Sequence, residues 1–237
     1  MSRAARHGHP PYRVVVVHGG PGAAGGMAPV ARELARHRGV LEPIQTATSL
    51  QGQVDELREA IDDFPCALVG YSWGAWLSAL VAADHPALVE KLILVSSGPF
   101  EERYVDQLRA TRMARLDEKD RRDFDRRFAE LCSKTDSFDP LPEEPVAFDA
   151  RIYAAVWPEG AALRKSGALL ERVAELQCPV VAIQGDYDPH PSEGVERPLA
   201  RTLRDFRFIL LDRCGHTPWI ERHARERFFE ILEREIN

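Results

Sequence analysis

The chain has 237 residues, 44% of them hydrophobic, enough for one domain with a full core and a small subdomain beside it. Charged residues make up 29% with a formal net charge of −6, which argues against a broad nucleic-acid footprint and leaves room only for a local basic patch. Apolar runs such as Val14–Val17 and Leu92–Val95 are far shorter than the roughly 20 residues that span a bilayer, and Met1 to Pro11 has no apolar signal core, so a cytoplasmic protein is expected.

In chain order, Arg13–Val17 reads as a buried strand ending in the loop His18-Gly19-Gly20-Pro21-Gly22. Met27–His37 reads as a helix and Val40–Thr46 as a short strand. Val54, Leu57, Ile61 and Phe64 share one face at helical spacing, so Leu50–Phe64 is expected to be an amphipathic helix. Ala67–Val69 follows as a strand. Trp73–Asp84 is a helix apolar nearly all round, hence buried, and Lys91–Val95 is another strand.

From Gly98 to Leu176 this alternation stops. The segment is charged, with a narrow helical stripe of Phe124, Phe128 and Leu131, then Pro140, Pro142 and Pro145, then Phe148, Tyr153 and Trp157. It reads as an inserted helical lid over residues 99–176. The alternation resumes with the strand Pro179–Ile183, the helix Val195–Leu203, the strand Phe206–Leu211 and a last helix Pro218–Glu235. The expected fold is α/β: a doubly wound, mostly parallel sheet built from residues 12–98 and 177–237.

Gly70-Tyr71-Ser72-Trp73-Gly74 fits G-x-S-x-G and lies between a predicted strand and a predicted helix. A sharp reversal there lifts the Ser72 hydroxyl above the sheet at a helix N-terminus, whose dipole favours negative charge. A serine hydroxyl needs a base. His216, in the loop between the final strand and the final helix, is at the same sheet edge; His7 and His9 are in the tail, His37, His85 and His223 lie in or beside helices, and His18 is expected to shape its own loop by hydrogen bonding. The acid that orients the base comes from Gly185-Asp186-Tyr187-Asp188-Pro189. Asp188 is further past the strand end and placed to reach across to His216, whereas Asp186 is placed to brace the turn. Oxyanion donors are expected from the backbone N–H groups of Trp73 and Gly20. The glycine loop lacks the Lys-Ser/Thr ending of a P-loop and the spacing of a dinucleotide motif. Cys66, Cys132, Cys178 and Cys214 lie far apart and read as free thiols; no metal or organic cofactor is expected.

These motifs resemble those of α/β-hydrolases, in which the order Ser72, Asp188, His216 is the usual one. Within that superfamily the chain is similar to prolyl iminopeptidases and related lidded hydrolases: it carries H-G-G-P-G at His18–Gly22, the tryptophan after the nucleophile, and Ala83-Asp84-His85-Pro86 leading into Leu92–Val95. The resemblance implies a serine hydrolase that cleaves an ester, thioester or amide bond of a small molecule or short peptide through an acyl-enzyme. It departs from the family in three places. The chain starts almost at the strand before the oxyanion loop, so the sheet is expected to be shorter by about two strands. Glu42-Pro43-Ile44-Gln45-Thr46 replaces a D-x-R-G-x-G-like segment. The lid is short; prolyl iminopeptidases use acids there to grip a substrate amine, and the motif match at Glu143, Glu144 and Asp149 is too poor to carry that role over. Phe148, Tyr153 and Trp157 are expected to line an apolar pocket or to pack the lid onto the core. Two other readings compete: a non-catalytic binding protein on the same scaffold, which the intact Ser, Asp and His oppose, and dehalogenase or epoxide-hydrolase chemistry, which wants an aspartate at position 72.

Overall fold

The computed structural model describes residues 4–62, 64–143 and 145–237. Seven strands form one sheet: β1 (Ala4–His7), β2 (Val14–Val17), β3 (Val40–Pro43), β4 (Cys66–Tyr71), β5 (Val89–Val95), β6 (Val180–Gly185) and β7 (Phe206–Leu211). Their spatial order is β1-β3-β2-β4-β5-β6-β7, with β1 antiparallel to β3 and every other pairing parallel. The four valines of β2 are all buried because both faces of the sheet are covered. Val15 and Val17 enter one core with Leu57, Trp76 and Leu199; Val14 and Val16 enter the other with Met27, Leu34 and Phe228.

The helices that supply these layers are α1 (Ala28–Leu34), α2 (Leu50–Ala60), α3 (Trp73–Asp84), α9 (Glu193–Thr202) and α10 (Arg225–Ile236). Between β5 and β6 the chain inserts α4 (Val105–Ala114), α5 (Glu118–Asp123), α6 (Phe128–Asp136), α7 (Ala150–Ser166) and α8 (Ala168–Val173). The inserted segment has its own small core of Leu116, Phe124 and Leu131, so the expected aromatic stripe is real, though Phe128 stays 41% exposed beside Phe124. Among the described residues no helix is long and apolar enough to cross a membrane.

Three expectations need correction. Residues 4–7 are not a tail: β1 pairs with β3, and His7 meets the buried Glu42 carboxylate at 3.1 Å. Its sequence, AARH, has no apolar alternation that would have marked it. The α2 helix stops at Ala60, with Ile61 already extended; Phe64 precedes Pro65, where helical backbone is disfavoured. The last helix is two pieces, a 3₁₀ turn at Pro218–Ile220 and α10, divided by an extended Glu221 whose carboxylate is turned inward.

The sheet also fixes where a site can form. The chain steps from β2 to β3 on one side and then to β4 on the other. Crevices in such sheets open at that reversal, beyond the strand carboxyl ends. Val17 pairs with Gly70 there, so the His18–Gly22 loop and Ser72 leave the sheet side by side.

Candidate active site

Ser72 sits between β4 and α3 with φ 54° and ψ −113°, a positive φ that L side chains rarely adopt. Its neighbours hold it there. A Cβ at Gly70 would come within 2.2 Å of the Gly74 carbonyl oxygen, and one at Gly74 within 2.4 Å of the Val17 oxygen. The turn is so tight that only glycine fits at either position. The Ser72 N–H is tied to the Val95 carbonyl at 2.9 Å, and its own carbonyl accepts from Ala75 N–H at 3.1 Å.

The hydroxyl so displayed meets His216. Ser72 Oγ lies 3.1 Å from His216 Nε2, and His216 Nδ1 lies 2.8 Å from Oδ2 of Asp188. The Asp188 side chain is fully buried, and ionised carboxylate oxygens only accept, so in this contact the Nδ1–H of His216 donates. An imidazole that accepts from a hydroxyl and donates to a buried carboxylate is suited to taking up the hydroxyl proton. Burial works against the charge on each partner, but their mutual attraction outweighs it. The Asp188 carboxyl is held well below the usual carboxylate range, and His216 is raised above its ordinary value.

Asp186 stands apart from this array. Its Oδ1 accepts from Cys214 N–H at 3.0 Å, and the Tyr187 N–H reaches the Cys214 carbonyl at 2.9 Å, so it braces the two loops that carry Asp188 and His216. A second brace was not legible in the sequence. Glu221 is fully buried, and its carboxylate accepts from the backbone N–H groups of Gly215, Phe138 and Asp139 at 3.0, 2.9 and 2.8 Å. The His216 N–H also donates to the Asp136 carbonyl at 2.7 Å. The histidine loop is thus sewn to the end of α6.

His190 is the residue that sequence reasoning missed. Its Nδ1 lies 2.8 Å from Oδ1 of Asp188, and its ring stacks on that of His216 with centroids 4.5 Å apart. The signal was there: in Asp188-Pro189-His190 a histidine follows the acid by two residues on one short loop. Asp188, His190 and His216 bring donor atoms within 4.8 Å of one another, the spacing of a metal-ligand set. Here both Nδ1 atoms face the carboxylate as hydrogen-bond donors, which accounts for the cluster.

A cavity of about 590 Å³ opens over Ser72 and His216. Gly20 lines it, with a positive φ of 43°. Trp73 is the first residue of α3, so its N–H is one of the four that a helix start leaves without an internal partner. Its indole is buried and donates to Gln53 Oε1 at 2.9 Å. His18 shapes the loop as expected, donating Nδ1–H to the Gly19 carbonyl at 2.9 Å; burial lowers its pKa.

Of the three expected pocket aromatics, Phe148 lines the cavity. Tyr153 and Trp157 do not; they are on α7, where Tyr153 stacks on Trp157 and Trp157 on Trp76, fastening the inserted helices to α3. Of the three acids, Glu143 lines the cavity and accepts from Trp219 Nε1 at 3.1 Å; burial raises its pKa. Asp149 instead caps α7 and pairs with Arg151. Glu144 lies outside the described residues. All four cysteines are free thiols; Cys132 also lines the cavity.

A family model described as alpha/beta hydrolase family matches residues 14–231. No curated protein matches the chain. Among solved structures it is similar to VinJ, with a TM-score of 0.72 at 19% identity over 98% of this chain and 93% of that one. It is also similar to the proline iminopeptidase of Mycobacterium smegmatis (TM-score 0.68, 18% identity, 98% and 92% covered) and to a thermophilic esterase from Thermogutta terrifontis (TM-score 0.65, 19% identity, 99% and 94% covered).

Proposed function

As the chain belongs to the alpha/beta hydrolase family, we propose that it is a serine hydrolase that cleaves a small ester, thioester or amide through an acyl-enzyme. The observation that carries this reading is the continuous array from Ser72 Oγ through His216 to Asp188, with contacts of 3.1 and 2.8 Å. His216 Nε2 takes the Ser72 proton as Oγ attacks the substrate carbonyl. The tetrahedral oxyanion is met by the N–H groups of Trp73 and Gly20. His216 then returns the proton to the leaving group, and water repeats the sequence to release the acid and free Ser72.

In this reading the inserted segment, residues 99–176, is a lid. It supplies Phe148 as an apolar wall and Glu143 as an acid inside the same cavity. Glu143 favours a second, narrower reading. Glu143 is exposed at the cavity wall, yet desolvation still raises its pKa; such a carboxylate gains from a cationic partner, and a substrate with a free amine would supply one. One of the structural neighbours is a proline iminopeptidase, which adds aminopeptidase action to the options.

A panel of p-nitrophenyl esters of varied acyl length beside aminoacyl p-nitroanilides tests both. Turnover that vanishes in Ser72→Ala is expected. Turnover that persists in that variant overturns the serine mechanism. Glu143→Gln should raise KM for the aminoacyl substrates alone; an equal rise for neutral esters would strike the amine-binding reading.

A further inference from the structure

The triad acid has more partners than a triad needs. Oδ2 of Asp188 accepts from His216 Nδ1 at 2.8 Å and from Gln184 Nε2 at 3.0 Å. Oδ1 accepts from His190 Nδ1 at 2.8 Å and from the His190 backbone N–H at 3.0 Å. Four donors fill the roughly four lone-pair sites of one carboxylate. Two of them are imidazoles, stacked at an interplanar angle of 23° and each only about 12–13% exposed.

One negative charge serves two stacked rings. Both cannot carry a proton on Nε2 and Nδ1 together without placing two cations face to face in a buried site. The geometry assigns the single charge. His216 has Ser72 Oγ on its far nitrogen, so it is the ring through which a proton enters and leaves. His190 holds its carboxylate contact with both backbone and ring, in a chelate closed over two residues.

We propose that His190 is a positioning residue of the catalytic array: as a neutral Nδ1–H donor it locks the Asp188 carboxylate in plane for His216 and draws off part of its charge, which holds down the basicity of His216. This rests on the serine-hydrolase reading above.

The surrounding groups agree with that division. Burial, the neighbouring His216 and Arg112 lower the pKa of His190 and outweigh Asp188. For His216, Asp188 and Asp136 raise it against burial and Arg112. Arg112 on α4 and Asp136 at the end of α6 form a two-point ion pair at 2.9 and 2.5 Å, and they act on His216 in opposite directions. Tyr71, packed against His216 with centroids 5.1 Å apart, is kept neutral by burial.

The sign of the effect follows. Deleting the His190 donor returns charge density to the face of Asp188 seen by His216, so the His216 pKa rises. The base must be neutral to act, so the acid limb of the rate profile moves to higher pH. Asparagine at position 190 carries an N–H donor on the same side-chain atom position as Nδ1 and keeps the bond without a titrating ring.

The test is the second-order rate of fluorophosphonate labelling of the full chain against pH. His190→Ala should shift the acid limb upward by about half to one pH unit and lower the plateau about ten-fold. His190→Asn should stay near wild type on both counts. An unshifted His190→Ala profile overturns the proposal. So does a His190→Asn profile as shifted as that of His190→Ala, which would mean that ring packing matters and the hydrogen bond does not. A wild type that never labels defeats the Ser72 reading by itself. Nitrogen-15 NMR of the wild-type histidines then still decides on His190, and decides too if the variants fail to fold: His190 should remain neutral and Nδ1-protonated while His216 titrates, and a His190 that becomes cationic before His216 overturns the proposal.

Discussion

Ser72 pays for its exposure with backbone strain. Non-glycine residues held at sparsely populated φ/ψ cost about 1–3 kcal/mol each, and φ 54° with ψ −113° is such a place. The strain belongs to the backbone and not to the hydroxyl, so it survives in Ser72→Ala and is relieved in Ser72→Gly. Glycine also gains entropy in the unfolded chain, an opposing effect of about 0.5–1 kcal/mol. Urea unfolding should therefore find Ser72→Gly more stable than Ser72→Ala by about 1 kcal/mol; a less stable glycine variant would contradict strain at this position. The two loop aspartates separate in the same way. Asp188→Asn should lower kcat about 10⁴-fold, as loss of the orienting acid does in serine proteases. Asp186→Asn should cost far less, because Asp186 bonds the Cys214 N–H and touches neither histidine ring by hydrogen bond. The reverse ranking would misassign the acid.

At the scale of elements, residues become a site because strands end together. Gly70-Tyr71-Ser72-Trp73-Gly74 was legible because a strand and a helix flank it, and α3 spans Trp73–Asp84 as its apolar composition implies. The final strand, Phe206–Leu211, was likewise legible from its apolar run. The elements that sequence reading lost are those held by long-range polar contacts. β1 has no apolar pattern and exists through its pairing with β3. The break after Ile220 exists because Glu221 folds its carboxylate into three backbone N–H groups 83, 82 and 6 residues away along the chain. His190 joins the site through a carboxylate already given to His216. Periodicity cannot report such contacts. Glu221 carries the clearest element-scale prediction. Glu221→Ala leaves three backbone donors unpaired, each worth about 1–3 kcal/mol when buried, and loosens the loop that carries His216. A large drop in the unfolding midpoint together with lowered kcat is expected from thermal melts and ester kinetics; an unchanged midpoint would remove Glu221 as the link between the histidine loop and residues 138–139.

At the scale of the whole molecule, one seven-stranded sheet carries the site beyond the carboxyl ends of its strands. Both faces of the strands are buried by helices, the reversal of strand order places the crevice, and the stretch between α6 and α7 adds Phe148 and Glu143 to the cavity lining. The family follows from the motifs at the carboxyl end of the sheet, which is why it was legible, and the proposed serine chemistry rests on the same residues. The charged helices and proline-rich run of the inserted segment carry no motif, so no substrate was legible there. There the expectation of three pocket aromatics resolved into one, since Tyr153 and Trp157 are spent on fastening α7 to Trp76. The central claim is that the Ser72 hydroxyl is an activated nucleophile. Incubation of the folded wild type with a fluorophosphonate, followed by intact-mass and peptide mass spectrometry, tests it most directly. The account predicts one adduct per chain, on Ser72, absent from Ser72→Ala; a folded wild type that takes up no adduct, or takes it up elsewhere, would contradict it.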